Sequence, residues 1–231
     1  MTSLLISGIS GNIGSQLLKL AKNYSFNVTC GVDRKTFSDA DCPVYNSFYE
    51  VKENVDVIID FSSPALTEQA IEFAETRGCA LLSGTTALLI NQKLKLKNLA
   101  EKSPVCWANN FSKSIIPFLQ SALLLKNELE NAEMVLIEEH NKNKKDSPSG
   151  TANFLAERLQ IKQIHSVRGG TVSGSHKIIF YGDGEQIEIM HKTYDKSIFA
   201  KGALSCAQKL LTKEKGFYSV DQLLCVKANI N

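Results

Sequence analysis

The first half of the chain alternates between short apolar runs and segments whose apolar residues recur at helical spacing. The apolar runs fall at residues 3–7, 26–32, 55–61, 79–82 and 104–108. A run without polar alternation is typical of a strand that is buried on both faces of a parallel sheet. The regular alternation of such strands with helices predicts an α/β unit with a doubly wound parallel sheet.

The pattern changes in the second half of the chain. The predicted elements are a helix at 114–129, a strand at 134–137, a helix at 150–160, and a hairpin of strands at 177–181 and 186–191. A Gly-Asp-Gly turn joins the two hairpin strands, and helical spacing resumes after residue 199. We therefore expect a smaller α+β domain with a mostly antiparallel sheet at 113–196. Residues 1–112 with 197–231 then form the other domain.

A glycine-rich turn links the first apolar run to the first helical pattern. Its glycines are Gly8, Gly11 and Gly14. In this context they allow a tight turn, close approach of the backbone to a pyrophosphate, and close packing of helix on strand. The helix N-terminus offers N–H groups and a partial positive charge to phosphates. No lysine follows Gly14, and this disfavours a nucleoside-triphosphate loop.

An acidic and a basic residue, Asp33 and Arg34, stand just after the second predicted strand. At about 20 residues beyond such a turn, an acidic side chain contacts the ribose hydroxyls of NAD. A guanidinium there can instead pair with the 2′-phosphate of NADP. The pair predicts that either NADH or NADPH is bound. A surface ion pair at a strand end is the alternative, and the glycine turn upstream favours cofactor binding.

Small and polar residues follow the other predicted strands of this half. The carboxyl ends of parallel strands lie at one edge of the sheet, where ligands of doubly wound sheets bind. Each segment could equally be an ordinary loop, but the common edge favours cofactor contact. The candidates are Phe61, Ser62, Gly84, Thr85, Thr86, Asn109, Asn110 and Phe111.

Composition excludes several classes of function. The 231 residues carry a net charge of +2, which is too small for a nucleic-acid-binding surface. No apolar run approaches the roughly 20 residues of a membrane span, and the N-terminus lacks the basic region of a signal peptide. The six cysteines form no Cys-x-x-Cys pair. We expect reduced thiols, no metal and a cytoplasmic protein, with zinc or disulfides as the less favoured alternative.

The polar segment 138–152, EEHNKNKKDSPSGTA, concentrates groups that can transfer a proton. His140 has an imidazole, which titrates near neutral pH and is suited to general acid–base catalysis. Lys144 follows four residues later and can donate a proton or hold a carboxylate. The two side chains would share one face of a helical turn and could also converge in a compact loop.

The end of the same segment has the features of an anion site. Ser149, Gly150 and Thr151 stand at a predicted helix start and offer hydroxyl and N–H groups, with Pro148 expected in the first turn. The alternative is a solvated lysine-rich loop in which residues 146–148 only cap the helix. Spacing alone leaves the two interpretations nearly equal.

The segment EEHNKNKKDSPSGTA resembles the signature loop of the dihydrodipicolinate reductase family, E-x-H-H-x-x-K-x-D-x-P-S-G-T-A. Other motifs resemble those of the family in the same order along nearly the whole chain. These are GISGNIG, the Asp33-Arg34 pair, DFSSP, SGTT, NNFS, and HKTYDKSIFAKGA at 191–203.

The resemblance implies a Rossmann-like dinucleotide-binding domain and a second domain that binds substrate and forms a homotetramer. It implies reduction by NADH or NADPH of 4-hydroxy-tetrahydrodipicolinate to tetrahydrodipicolinate, with loss of water, in lysine and diaminopimelate biosynthesis. His140 would be the proton donor or acceptor, and Lys144 the proton donor. The implied contacts to a carboxylate of the small dicarboxylate substrate are Asn141, Lys144, Ser149, Gly150 and Thr151. The resemblance also implies cofactor contacts by Asn12 and Ile13 after the glycine turn, and by Lys196 and Phe199 in the return segment.

The chain departs from the family pattern at several positions. Asn141 replaces the second histidine of the signature, so it can donate a hydrogen bond but cannot carry positive charge. Asn12 stands where arginine is common, and Lys196 replaces a common arginine.

Two other functions remain open at this point. Another small-molecule dehydrogenase would share the fold, although the Tyr-x-x-x-Lys signature of short-chain dehydrogenases is absent. A silent NAD(P)-binding regulator would lack proton-transfer groups, yet His140 and Lys144 are both present.

Overall fold

The computed structural model describes residues 1–35 and 37–224. The chain divides into two compact units. The first contains Met1–Phe111 and the chain from Ser197 onward, and the second contains Ser112–Lys196.

Within the described residues, the first unit contains a seven-stranded sheet in which every neighbouring pair of strands is parallel. The strands are β1 Thr2–Ser7, β2 Phe26–Val32, β3 Val44–Tyr45, β4 Val57–Asp60, β5 Ala80–Ser83, β6 Pro104–Trp107 and β11 Gly216–Tyr218. Their order is β11-β6-β5-β4-β1-β2-β3, so the chain winds outward in both directions from β1. The predicted doubly wound parallel sheet is confirmed.

The helices of this unit are α1 Asn12–Leu20, α2 Pro64–Arg77, α3 Ile90–Leu99, α6 Ser197–Leu210 and α7 Val220–Leu224. One face of the sheet packs against α2 and α3 in a cluster that includes Leu5, Ile58 and Leu81. Helices α1 and α6 pack on each other and contact the strands. Ile6 and Ile59 alternate with Leu5 and Ile58 along β1 and β4, so they point to the opposite face of the sheet, and both are fully buried. Burial on both faces explains why these strands are apolar throughout.

Local sequence sets the limits of α2. Ser63 is the N-cap with extended backbone, and Pro64 occupies the first helical position, where its missing N–H costs nothing. Gly78 ends the helix with a φ of +70°, a left-handed conformation that glycine adopts without strain.

The second unit contains a four-stranded sheet in the order β10-β9-β7-β8. Its elements are α4 Ile115–Glu128, β7 Glu133–His140, α5 Gly150–Leu159, β8 Gln163–Arg168, β9 Gly174–Tyr181 and β10 Gln186–Thr193. Strand β9 pairs antiparallel with β7 and β10, whereas β8 pairs parallel with β7. Leu136 and Ile178 are buried on the face that carries α4 and α5. On the other face, Val167, Tyr181 and Met190 are exposed.

The structure corrects two local predictions in this unit and adds a strand that was not predicted. Strand β7 extends through His140, so Glu138 and His140 lie in a strand rather than in a loop. Pro148 precedes the helix, because the N-cap of α5 is Ser149. Strand β8 and its parallel pairing with β7 were not predicted, because four of the six residues of β8 are polar and the segment resembles a loop.

Among the described residues, no helix has both the length and the apolar character needed to cross a membrane. Of the five cysteines within these ranges, Cys42 is half-buried and the other four are buried. The remaining cysteine, Cys225, lies outside the described residues.

Candidate functional sites in the two units

The glycine turn joins β1 to α1 in a tight bend. Gly8 has a φ of +78°, its N–H donates to Val32 O at 2.8 Å, and its carbonyl accepts from Gly11 N at 3.0 Å. A Cβ at Gly14 would lie 2.0 Å from Gly8 O, so the helix can approach the turn only because glycine stands there. Gly11 is the N-cap of α1 and has no side chain to occupy the helix N-terminus. The first N–H groups of α1 are therefore available to an anion.

A cleft of about 370 Å³ opens beside this turn. Asp33 lies at its edge, where its carboxylate accepts from Ser10 N at 3.0 Å and from Ser10 Oγ at 2.7 Å. Arg34 is exposed in the same lining. The lining also includes further predicted contacts and their neighbours: Gly8, Gly11, Asn12, Lys35, Phe61, Ser62, Ser63 and Leu66. The residues predicted to meet the phosphates and the ribose are thus brought together.

A buried carboxylate that the sequence did not single out organises the strand ends beside the cleft. Asp60, at the end of β4, has no exposed surface. Its Oδ2 accepts hydrogen bonds from Thr67 Oγ1 at 2.7 Å, Ser83 Oγ at 2.8 Å and Thr85 Oγ1 at 2.9 Å, and its Oδ1 accepts from Ser62 Oγ. Asp60 therefore ties the ends of β4 and β5 to the first turns of α2. The sequence signal that could have indicated this cluster is an aspartate at the end of one strand, with serine and threonine residues after it and at the end of the adjacent strand.

Two phenylalanine rings and a glycine pack together at the same edge of the sheet. The rings of Phe61 and Phe111 meet edge to face with centroids 5.6 Å apart, and a Cβ at Gly84 would lie 2.2 Å from the Phe61 ring. Ile13 is half-buried near the start of α1, Thr86 is exposed beyond β5, and Asn109 and Asn110 follow β6. Phe199 is half-buried in α6, and Lys196 is an exposed residue of the second unit.

In the second unit, His140 is held by a carboxylate on its own strand. Glu138 and His140 are two residues apart in β7 and point to the same face, and His140 Nδ1 donates to Glu138 Oε2. Arg168 Nη2 donates to Glu138 Oε1 at 2.6 Å and to Asp146 O at 2.7 Å. Ser149 N also donates to Glu138 Oε1, at 3.3 Å. The fully buried carboxylate is therefore surrounded by donors.

These contacts determine the charge state of the pair. Burial alone would raise the pKa of Glu138, but hydrogen bonds from Arg168, Ser166 and His140 outweigh it and lower the pKa to about 2. Burial lowers the pKa of His140 below its ordinary value, and this effect exceeds the opposing attraction of Glu138. The ring is then neutral at pH 7, with its proton on Nδ1. Its Nε2 is free to accept a proton.

Lys144 and Asn141 lie in the loop after β7. Lys144 Nζ is 2.8 Å from Asp146 Oδ1, and its positive charge contributes to the lowered pKa of His140. Asn141 Oδ1 accepts from Asn143 N at 3.0 Å, and Asn141 O accepts from Lys144 N at 3.1 Å. The loop after β7 is thus a compact turn that is closed by these two hydrogen bonds.

The start of α5 supplies the predicted anion-binding groups. Ser149 is buried, and its Oγ accepts from Ala152 N at 3.1 Å as the helix cap. Gly150 and Thr151 form the first positions of the helix. Ser149 Oγ also lies 3.3 Å from Nε2 of His176, a residue of β9. His176 packs edge to face against His140, with ring centroids 5.4 Å apart.

The residues missed by the sequence analysis in this unit are Glu138, Arg168, His176 and His191 as members of one cluster. His176 faces Glu138 across β9–β7 and His191 across β9–β10. Ser114 Oγ lies 2.8 Å from His191 Nε2. Glu138, His176 and His191 form a row across the sheet. They are far apart in the sequence, and only strand pairing brings them into register, so the row could not be predicted from local patterns.

The parallel sheet with its glycine turn is the fold of oxidoreductases that use a nicotinamide dinucleotide, and the separate α+β unit carries an imidazole and a lysine. Two protein-family models match the chain. The one described as "Dihydrodipicolinate reductase, N-terminus" matches residues 2–111, and the one described as "Dihydrodipicolinate reductase, C-terminus" matches residues 117–224. The chain belongs to the dihydrodipicolinate reductase family. The predicted family, enzyme class and NADH or NADPH cofactor are thereby confirmed.

Relatives match over almost their whole length. The 4-hydroxy-tetrahydrodipicolinate reductase of Caldanaerobacter subterraneus subsp. tengcongensis is 33% identical, and the match covers 97% of this chain and 98% of the relative. The enzyme of the same name from Nitratiruptor sp. is 32% identical, with 97% and 99% covered. The dipicolinate-bound dihydrodipicolinate reductase from Paenisporosarcina sp. TG-14 has the same fold, with a TM-score of 0.81, 20% identity, and coverage of 97% and 100%.

Proposed function

We propose that the chain reduces 4-hydroxy-tetrahydrodipicolinate to tetrahydrodipicolinate in lysine and diaminopimelate biosynthesis. One hydride and one proton enter the substrate, and its hydroxyl oxygen leaves as water. The first unit binds the cofactor and the second binds the substrate. The observation that carries the proposal is the cluster in the second unit, where a carboxylate-held imidazole lies near a lysine and a capped helix N-terminus.

NADH or NADPH supplies the hydride when it is bound. The first unit fits such a group, because glycines leave room at the β1–α1 turn and the cleft runs from there to Asp33 and Arg34. The helix N-terminus holds the pyrophosphate, and Asp33 and Arg34 hold the ribose and any 2′-phosphate. The other proposed contacts are Gly8, Gly11, Asn12, Ile13, Gly14, Phe61, Ser62, Gly84, Thr85, Thr86, Asn109, Asn110, Phe111, Lys196 and Phe199.

His140 and Lys144 carry out the proton transfer. The neutral ring of His140 holds its proton on Nδ1 against Glu138, so Nε2 is the atom that exchanges a proton with the substrate or with water. The two negative charges of a dicarboxylate favour the imidazolium form once substrate binds. Lys144 is the proton donor, and the same ammonium group binds a substrate carboxylate.

The carboxylate site is formed by Lys144 with Ser149, Gly150 and Thr151. A helix N-terminus and an ammonium group both favour an anion, and hydroxyl groups add directed hydrogen bonds. Asn141 contributes an amide in place of a second imidazole, so its contribution to binding does not change with pH. A small dicarboxylate fits this set of donors better than a neutral or cationic substrate does.

The test is an assay with the freshly formed condensation product of pyruvate and aspartate semialdehyde, in which oxidation of NADH or NADPH is followed by absorbance. We expect oxidation that depends on both the condensation product and the enzyme. Cofactor binding without oxidation under these conditions would contradict the proposal and would favour a regulatory role.

We also propose that the chain forms a homotetramer through the second unit. The support is the sheet face that α4 and α5 leave uncovered, where Val167, Tyr181 and Met190 expose 48%, 42% and 54% of their surface. Apolar side chains on one open sheet face are typical of an interface. Sedimentation analysis should give four times the chain mass, and Met190→Lys should lower it.

A further inference from the structure

His176 is a buried residue to which the proposed chemistry assigns no role. Only 4% of its surface is exposed, and it lies on β9 between Glu138 on β7 and His191 on β10. Its Nε2 lies 3.3 Å from Ser149 Oγ. Its Nδ1 is buried and has no hydrogen-bond partner among the described residues. Burying an imidazole with one unpaired nitrogen costs free energy, so the presence of His176 at this position calls for an explanation.

The ring of His176 is neutral. Burial lowers its pKa to about 3, and repulsion from His140 and His191 adds to the effect, while the opposing attraction of Glu138 is smaller. At the pH of any reductase assay the ring therefore carries one proton, either on Nε2 or on Nδ1.

The surroundings favour the proton on Nε2. With the proton on Nδ1, a buried N–H donor would have no acceptor. With the proton on Nε2, only a lone pair is unpaired, and the N–H donates to Ser149 Oγ. Unpaired buried N–H groups are rarer in proteins than under-used acceptors.

This tautomer fixes the direction of the Ser149 hydroxyl. A hydroxyl oxygen has two lone pairs and one proton. One lone pair accepts from Ala152 N at 3.1 Å, and the other accepts from His176 Nε2. Only the hydroxyl proton is left, so Ser149 must act as a donor toward any further partner.

We propose that His176 is a positioning residue that holds Ser149 as a hydrogen-bond donor to a substrate carboxylate. The inference rests on the proposed function, which assigns Ser149 to that carboxylate. It also gives the site selectivity, because a hydroxyl fixed as a donor favours an acceptor-only carboxylate and disfavours an ammonium group. His176 touches no reacting atom and acts through Ser149.

Two substitutions separate the hydrogen bond from simple packing. His176→Gln can keep an N–H donor near the position of Nε2, whereas His176→Phe fills the space without a donor. The probe is dipicolinate, titrated by calorimetry into the full-length enzyme with bound NADH. We expect His176→Phe to weaken dipicolinate binding about tenfold, because the Ser149 hydroxyl is no longer held as a donor to the carboxylate. His176→Gln should restore most of the affinity.

The double variant with Ser149→Ala makes the test specific. If His176 acts through Ser149, His176→Phe has almost no further effect on dipicolinate affinity once Ser149→Ala is present. Equal losses in both backgrounds would show a general packing role and would overturn the proposal. Thermal unfolding of each variant identifies any loss of affinity that comes from partial unfolding.

A second measurement reads the tautomer directly. In enzyme labelled with ¹⁵N at histidine, the imidazole shifts and couplings of His176, assigned with His176→Gln, should show a neutral ring protonated on Nε2. A ring protonated on Nδ1 would overturn the proposal. Both measurements report binding or protonation, so they decide the role of His176 independently of whether the chain reduces the proposed substrate.

Discussion

Glu138 accepts a hydrogen bond from Nδ1 of His140, two residues further along the same strand. Strand geometry places the two side chains on one face, and Arg168 and the Ser149 N–H keep the carboxylate ionised and in place. The imidazole thus has a defined tautomer and orientation before substrate binds. The arrangement resembles the general pairing of an imidazole base with an orienting carboxylate.

The first prediction concerns that carboxylate. Glu138→Gln should lower kcat/KM at least about tenfold, because the ring loses its orientation and its preferred tautomer. The attraction of Glu138 raises the pKa of His140 against the lowering effect of burial, so its removal lowers that pKa further. The limb of the kcat/KM profile that reports His140 should therefore move to lower pH.

Glu139→Gln is the matched control, because Glu139 is the adjacent residue and points to the other face of β7. Its kcat/KM and its pH profile should stay close to those of the wild type. A Glu138→Gln variant whose limb stays in place or moves to higher pH would show that the carboxylate does not act on His140.

The second prediction concerns Lys144. Lys144→Ala should lower kcat by about a hundredfold or more, which is the usual effect of losing a positioned proton donor. NADH affinity, measured by fluorescence titration, should change little, because the proposed cofactor contacts of the dinucleotide turn lie in the other unit. Lys145→Ala removes an exposed neighbouring lysine and should leave both quantities near wild type. Unchanged turnover in Lys144→Ala would contradict the proposed function.

The third prediction concerns the internal partner of the same lysine. Asp146 Oδ1 lies 2.8 Å from Lys144 Nζ, and Lys144 is proposed to hold a substrate carboxylate. The substrate must therefore compete with Asp146 for the ammonium group. Asp146→Asn should lower KM for the substrate by about two- to fivefold, in line with the strength of a partly exposed ion pair.

Asp183→Asn provides the comparison, since Asp183 is an exposed aspartate in the turn between β9 and β10 of the same unit. It should leave KM unchanged. If Asp146→Asn instead lowers kcat and does not lower KM, Asp146 positions Lys144 for proton transfer and does not compete with the substrate.

The sequence predicts the parts of this structure that depend on local periodicity. Apolar runs predict the buried parallel strands, and three glycines predict the β1–α1 turn, because each signal lies within a few adjacent residues. The Asp60 hydroxyl cluster and the Glu138–His176–His191 row depend on pairing between strands that are distant in sequence. Residue 138 also looked like part of a charged loop, since a buried carboxylate is unexpected until Arg168 supplies its partner.

The last prediction concerns the choice between the two cofactors. Arg34 is exposed in the lining of the cleft, whereas the Asp33 carboxylate is already engaged by Ser10 N and Ser10 Oγ. A 2′-phosphate needs a cationic partner, and the ribose hydroxyls need an acceptor. Arg34→Ala should therefore weaken NADPH binding about tenfold or more while NADH binding changes little. Both dissociation constants can be measured by cofactor fluorescence.

Arg77→Ala, at the C-terminal end of α2, is the control for loss of a positive charge and should affect the binding of neither cofactor. Equal weakening of NADH and NADPH by Arg34→Ala would mean that Arg34 does not contact the 2′-phosphate.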